Sequence, residues 1–165
     1  MKKIIFLLLF VPVICRAQTC ISGTNPKTGK PYKTGITTLK DPSPSGIGGI
    51  FIFTKIDDRQ VLSFQQSFIT KDTSYSTYGL ILLTKLGNGN LKKLNVDNAS
   101  KIFPFPDGIM VNLEIDLTDA DIADFKQNPI TLIKVCYLGA EDKGYNTEVT
   151  TAKSQEIIKS IACIQ

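Results

Sequence analysis

Gly108 to Leu117 reads GIMVNLEIDL, and the alternation within it decides the fold. Ile109, Val111, Leu113, Ile115 and Leu117 take every second position, with Met110, Asn112, Glu114 and Asp116 between them. A period of two is that of a strand with one buried and one wet face. A helix start follows: Thr118 is a candidate N-cap, and Asp121 stands three residues on, where its carboxylate completes a capping box and opposes the positive end of the helix dipole. Asn128-Pro129 stops that helix. Ile130 to Leu138, ITLIKVCYL, is apolar on both faces and reads as a central, covered strand. Glu141 to Gly144 is expected to turn the chain, and Thr147 to Thr150 to resume an extended run. Beyond Ala152, Ile157, Ile158, Ile161 and Ile164 recur at helical spacing opposite Lys153, Glu156, Lys159 and Ser160. That stripe needs a sheet to lie on.

Upstream, Ile50 to Ile56 (IFIFTKI) is a short apolar run, Asp57-Asp58-Arg59 a turn, and Gln60 to Ile69 a second strand region. Tyr78 to Leu86 and Leu91 to Val96 flank Gly87-Asn88-Gly89-Asn90, four residues that tolerate positive φ and mark a hairpin. Phe103-Pro104-Phe105-Pro106 is extended but unsuited to the middle of a sheet, because neither proline can donate to a ladder. The expectation is an α+β fold, a mostly antiparallel β-sheet or sandwich with a short helix and a C-terminal helix packed on the sheet.

The first 17 residues have the three parts of an export signal: Lys2 and Lys3, the apolar run IIFLLLFVPVI, and a small-residue site ending at Ala17. The run is short for a membrane span and holds Pro12, so no span is expected once the signal is cleaved before Gln18. Cys15 follows Val13-Ile14 and Cys20 follows Gln18-Thr19, so neither has the small residues that precede a lipidated cysteine, and a lipid anchor is the less favoured alternative. Residues 18–49, rich in Gly, Pro, Lys and Thr, are expected to be an irregular N-terminal segment, and 50–165 a single β-rich globular domain. The fragment KTGKPYKTG lacks the spacing of a phosphate loop and has Pro31 where a helix would have to begin. Lys2, Lys3 and Arg16 leave with the signal, so 19 basic residues against 15 acidic become 16 against 15. A net charge of one is no footprint for nucleic acid.

Cleavage also removes Cys15 and leaves three cysteines in a compartment that permits a disulfide. By the helical period Cys163 projects about 120° or more from the terminal isoleucine stripe. Cys136 sits in the covered strand and suits the core as a buried free thiol. Cys20 with Cys163 is therefore the favoured pair, and Cys136 with Cys163 the rival.

Histidine is absent. Its absence removes Ser-His-Asp and Cys-His catalysis, the H-E-x-x-H zinc helix and any mixed Cys/His zinc site, so no catalytic, cofactor-binding or metal residue is assigned. Asp119, Asp121 and Asp124 are the densest acidic group, but the glycine of a calcium loop is missing and an acid-led, capped helix start accounts for them. Glu114 and Asp116 share one strand face and would be the carboxylates of a small hydrolase, though pleat alternation places them together without any such role. Tyr75, Tyr78, Tyr137 and Tyr145 suit half-wet contacts of a binding surface, but β-propensity explains them as ordinary strand and turn residues.

The layout resembles that of small exported proteins of unknown function from Bacteroidota-like bacteria, on a signal ending Ala-Gln, the strands IMVNLEIDL and ITLIKVCYL, an acid-capped helix and a terminal helix ending IACI. The resemblance implies export and an α+β fold and carries no active site. The functional expectation is a periplasmic or secreted, non-catalytic domain that binds a protein or cell-surface component. An inhibitor or immunity-type protein and a carboxylate hydrolase are the alternatives.

Overall fold

The alternation in GIMVNLEIDL is realised as a strand in which Ile109, Val111, Leu113, Ile115 and Leu117 are buried and Asp116 is exposed. The computed structural model describes residues 19–40, 49–70 and 76–165. The expected signal at 1–17, the turn-dense residues 41–48 and Tyr75 lie outside them. In chain order the elements are β1 (Thr19–Thr24), β2 (Pro31–Lys40), β3 (Gly49–Ile56), β4 (Arg59–Ile69), β5 (Leu80–Leu86), β6 (Leu91–Asn95), β7 (Lys101–Phe105), β8 (Gly108–Leu117), α1 (Asp119–Gln127), β9 (Ile130–Tyr137), β10 (Ala140–Glu148) and α2 (Thr151–Ala162).

Among the described residues every strand pairing is antiparallel, in two sheets. The larger runs β1-β2-β3-β4-β8-β7 and the smaller β10-β9-β5-β6. Both feed one core cluster: Phe51, Phe53, Leu62, Phe64 and Leu113 from the first sheet meet Leu82, Ile133 and Val135 from the second. Phe51 and Phe64 pack tilted, with ring centroids 5.2 Å apart. This mutual burial drives the folding, at about 1.5–3 kcal/mol per large apolar side chain.

Within the segment 18–49, expected to be irregular, Thr19–Thr24 and Pro31–Lys40 are strands. β1 and β2 form a six-pair ladder, Thr19↔Ile36 to Thr24↔Pro31, and β2 continues onto β3. Threonine, isoleucine and tyrosine in PYKTGITTLK favour a pleated surface, and Pro31 stands at the first residue of its strand, where a missing donor is tolerated. The second correction concerns the β9–β10 connection. The chain turns at Leu138-Gly139, with Gly139 at φ 84°, and Glu141 to Gly144 form a bulge inside β10. Only glycine enters that left-handed turn without strain, which places the reversal earlier than the charged residues suggest.

Helix α2 lies against β2. Of the expected stripe, Ile157, Ile161 and Ile164 are buried and Ile158 half-buried, while Ser160, expected on the wet side, is buried against β2 and its hydroxyl hydrogen-bonds that of Thr37. Gly35 makes the close approach possible. At the other end of the larger sheet, β7 is an edge strand, as Pro104 requires.

Candidate functional site

A cavity of about 410 Å³ opens between the two sheets at the end where β8 begins and β9 finishes. Ile109 and Val111 of β8 and Ile102 of β7 form one wall. Leu80 of β5, Val135 and Tyr137 of β9, and Ala140 and Tyr145 of β10 form the other. The strand period explains the set: Ile109 and Val111 share the buried face of β8, and Val135 and Tyr137 share one face of β9. Its volume falls within the range typical of small-ligand sites, and a mostly apolar wall with a few polar groups is their usual composition.

Two tyrosines shape the slot. Tyr145 stacks on Phe68 of β4 with centroids 4.6 Å apart, bridging the sheets. Tyr137 donates from its hydroxyl to the Ser76 carbonyl at 2.9 Å and accepts from the Ser76 amide at 3.2 Å. Of the other tyrosines weighed from sequence, Tyr78 is 91% exposed and does not line the slot. The β10 bulge sets the mouth. Between the pairs Ala140↔Tyr137 and Tyr145↔Val135, four residues of β10 oppose Cys136 alone. Gly144, at φ 146°, closes the bulge, and a Cβ there would stand 2.4 Å from the Val135 carbonyl oxygen. The displaced segment carries Lys143, the one charged side chain among the residues lining the slot. Its neighbours face other partners: Glu141 accepts from Lys93 at 2.6 Å, and the Asp142 carbonyl from Lys134 at 3.1 Å. The hydrogen bond from Lys93, with backbone donors, holds the Glu141 carboxyl below its ordinary pKa.

A larger depression, about 650 Å³, lies where α1 meets the ends of β3 and β4. Part of its polar lining is engaged locally, with Asp119 accepting from Gln60 at 2.6 Å and Lys126 donating to Gln165. We give the smaller slot more weight, because its walls are core residues of both sheets.

The acidic residues singled out from sequence have structural partners. Thr118 and Asp121 form the expected capping box, with the Thr118 amide donating to Asp121 at 2.8 Å and the Asp121 amide to the Thr118 hydroxyl at 3.2 Å. Asp121 and Asp124 both bind Lys92 of β6, at 2.7 Å for Asp121. Burial alone raises the Asp121 carboxyl pKa, but Lys92 and the Thr118 donors outweigh it and hold the group below its usual value. Lys92 is likewise opposed by burial, and the two aspartates raise it overall. Among the described residues no three His, Cys, Asp or Glu side chains converge as metal ligands. Glu114 and Asp116 lie on β8 outside both depressions, and Asp116 holds Arg59 at 2.7 and 3.1 Å.

Cys20 and Cys163 form a disulfide, tying β1 to the C-cap of α2 with Cα atoms 5.5 Å apart. Cys136 is a buried free thiol packed with Ile81 and Leu83, and burial foremost raises its pKa. The slot itself was not legible in the sequence. Its walls come from five strands, and only Tyr137 and Tyr145 carried a hint of it. No known protein family, curated protein or solved structure matches this chain.

Proposed function

We propose that this chain is an exported, non-catalytic binding domain that takes a small apolar or amphiphilic component of the envelope or medium between its two sheets. The slot carries the reading: Ile109, Val111 and Val135 form its buried apolar floor, and half-buried Ile102, Tyr137, Ala140 and Tyr145 its open walls. Two further observations are compatible with it: a disulfide suits an oxidising compartment, and no described helix is long and apolar enough to cross a membrane. Native mass spectrometry of protein recovered from the periplasm or medium tests it. A co-purifying small molecule, lost on Ala140→Trp, supports the reading; protein that fails to leave the cytoplasm, or that takes up no apolar small molecule, overturns it.

A second reading, an inhibitor or immunity-type protein, is favoured by strand β1. Cys20 to Thr24 are exposed at a sheet edge and carry neither charge nor proline. The other edges have such guards: Lys101 and Pro104 on β7, Lys92 and Lys93 on β6, and the charged bulge of β10. An unguarded edge accepts a partner's strand by main-chain hydrogen bonding. Ile21→Lys would abolish protection against a neighbouring toxin if that edge docks it, and would leave protection intact if it does not.

A further inference from the structure

The slot is apolar within and cationic at its mouth, and that pairing selects a class of ligand. Ile109, Val111 and Val135, only 1–4% exposed, form a closed apolar floor, and half-buried Ile102 an open part of the wall; none offers a polar side-chain group to a bound molecule. Any polar atom buried against them would lose its water without replacement. A ligand that fits therefore carries its polar group at one end and leaves it at the rim. The rim group is Lys143, which is exposed and makes no ion pair among the described residues, whereas the adjacent Glu141 is occupied by Lys93. From these features we infer that the site takes a medium-chain monocarboxylic acid, its alkyl chain between the sheets and its carboxylate beside the Lys143 ammonium. A volume near 410 Å³ stands at the small end of ligand sites and suits a medium chain better than a long one. The inference rests on the slot being a binding site and adds the ligand class.

Titration of the full, disulfide-bonded protein with octanoate and with 1-octanol, followed by methyl NMR and calorimetry, tests it. Octanoate is expected to bind at one site, shifting methyl signals of Ile102, Val111 and Val135, and octanol several-fold more weakly. Lys143→Glu, a surface change, is expected to weaken octanoate by roughly three- to tenfold, the range for an exposed charge pair reversed, and to spare octanol. Ala140→Trp should block both ligands. If octanol binds as well as octanoate and Lys143→Glu changes neither, the carboxylate preference is overturned while the slot stands as an apolar site. If neither ligand shifts the slot methyls, both readings fall.

Discussion

A Cβ on Gly35 would lie 2.0 Å from the carbonyl oxygen of Ser160. No real side-chain carbon tolerates that distance, and the obstacle is helix backbone rather than a movable side chain. Gly35→Ala must push α2 away from β2, opening the contacts of Ile157 and Ile161. We expect destabilisation of about 1–3 kcal/mol, as for overpacked cores, read as a lowered urea midpoint at unchanged slope. A midpoint equal to wild type would show that the helix docks more loosely than this contact requires.

Removing the disulfide acts on the unfolded chain. Cys20 and Cys163 are 143 residues apart, and closing so long a loop contributes about 5 kcal/mol in the chain-entropy model. The double variant Cys20→Ser, Cys163→Ser is expected to lose several kcal/mol while keeping both sheets by circular dichroism. Thiol alkylation of unreduced wild-type protein in denaturant should modify one of these three cysteines, Cys136. Modification of all three would contradict the bridge.

The capping box gives α1 an acid-sensitive start. Because the Asp121 pKa is depressed in the folded state, its stabilisation is complete above the unfolded-state pKa and is lost as pH falls through the folded value. Asp121→Asn keeps an acceptor for the cap but gives up the charge facing Lys92. The variant should be less stable than wild type at neutral pH, by about 1 kcal/mol, and the difference should close under acid. Chemical denaturation across that range checks this; a gap that persists when the carboxyl is protonated would exclude charge as its source.

Ser154 of α2 is buried with its hydroxyl unpartnered among the described residues. An unpaired buried hydroxyl carries a desolvation cost, and alanine is the better helix former. Ser154→Ala should raise stability by about 0.5–1.5 kcal/mol. Loss of stability would mean that the hydroxyl has an ordered partner, such as water.

What the sequence made legible was local. The pleat of β8, the Thr118–Asp121 box, the Gly87 to Asn90 hairpin and the terminal isoleucine stripe each lie within about a dozen residues, where periodicity and capping act. The pair Cys20 and Cys163 is favoured across the chain because the covered strand suits Cys136 to the core. β1 and β2 leave little local trace because their glycines, proline and lysines read as loop, while the ladder that makes them strands is a long-range event. Ser160 reads as solvent-facing for a related reason: its burial depends on Gly35 of another element letting the backbone come close. The slot was hidden most completely, since each wall residue reads simply as core and the spacing between sheets leaves no local trace.

The same bridge decides how the molecule meets a pull. Nearly the whole described chain lies between Cys20 and Cys163, so tension applied at the two termini passes through the sulfur–sulfur bond and leaves both sheets unloaded. A protease cut anywhere between those cysteines likewise leaves one covalent molecule, its halves still joined where the first strand meets the last helix. Such a clasp keeps the two sheets on one covalent molecule until a reductant opens it.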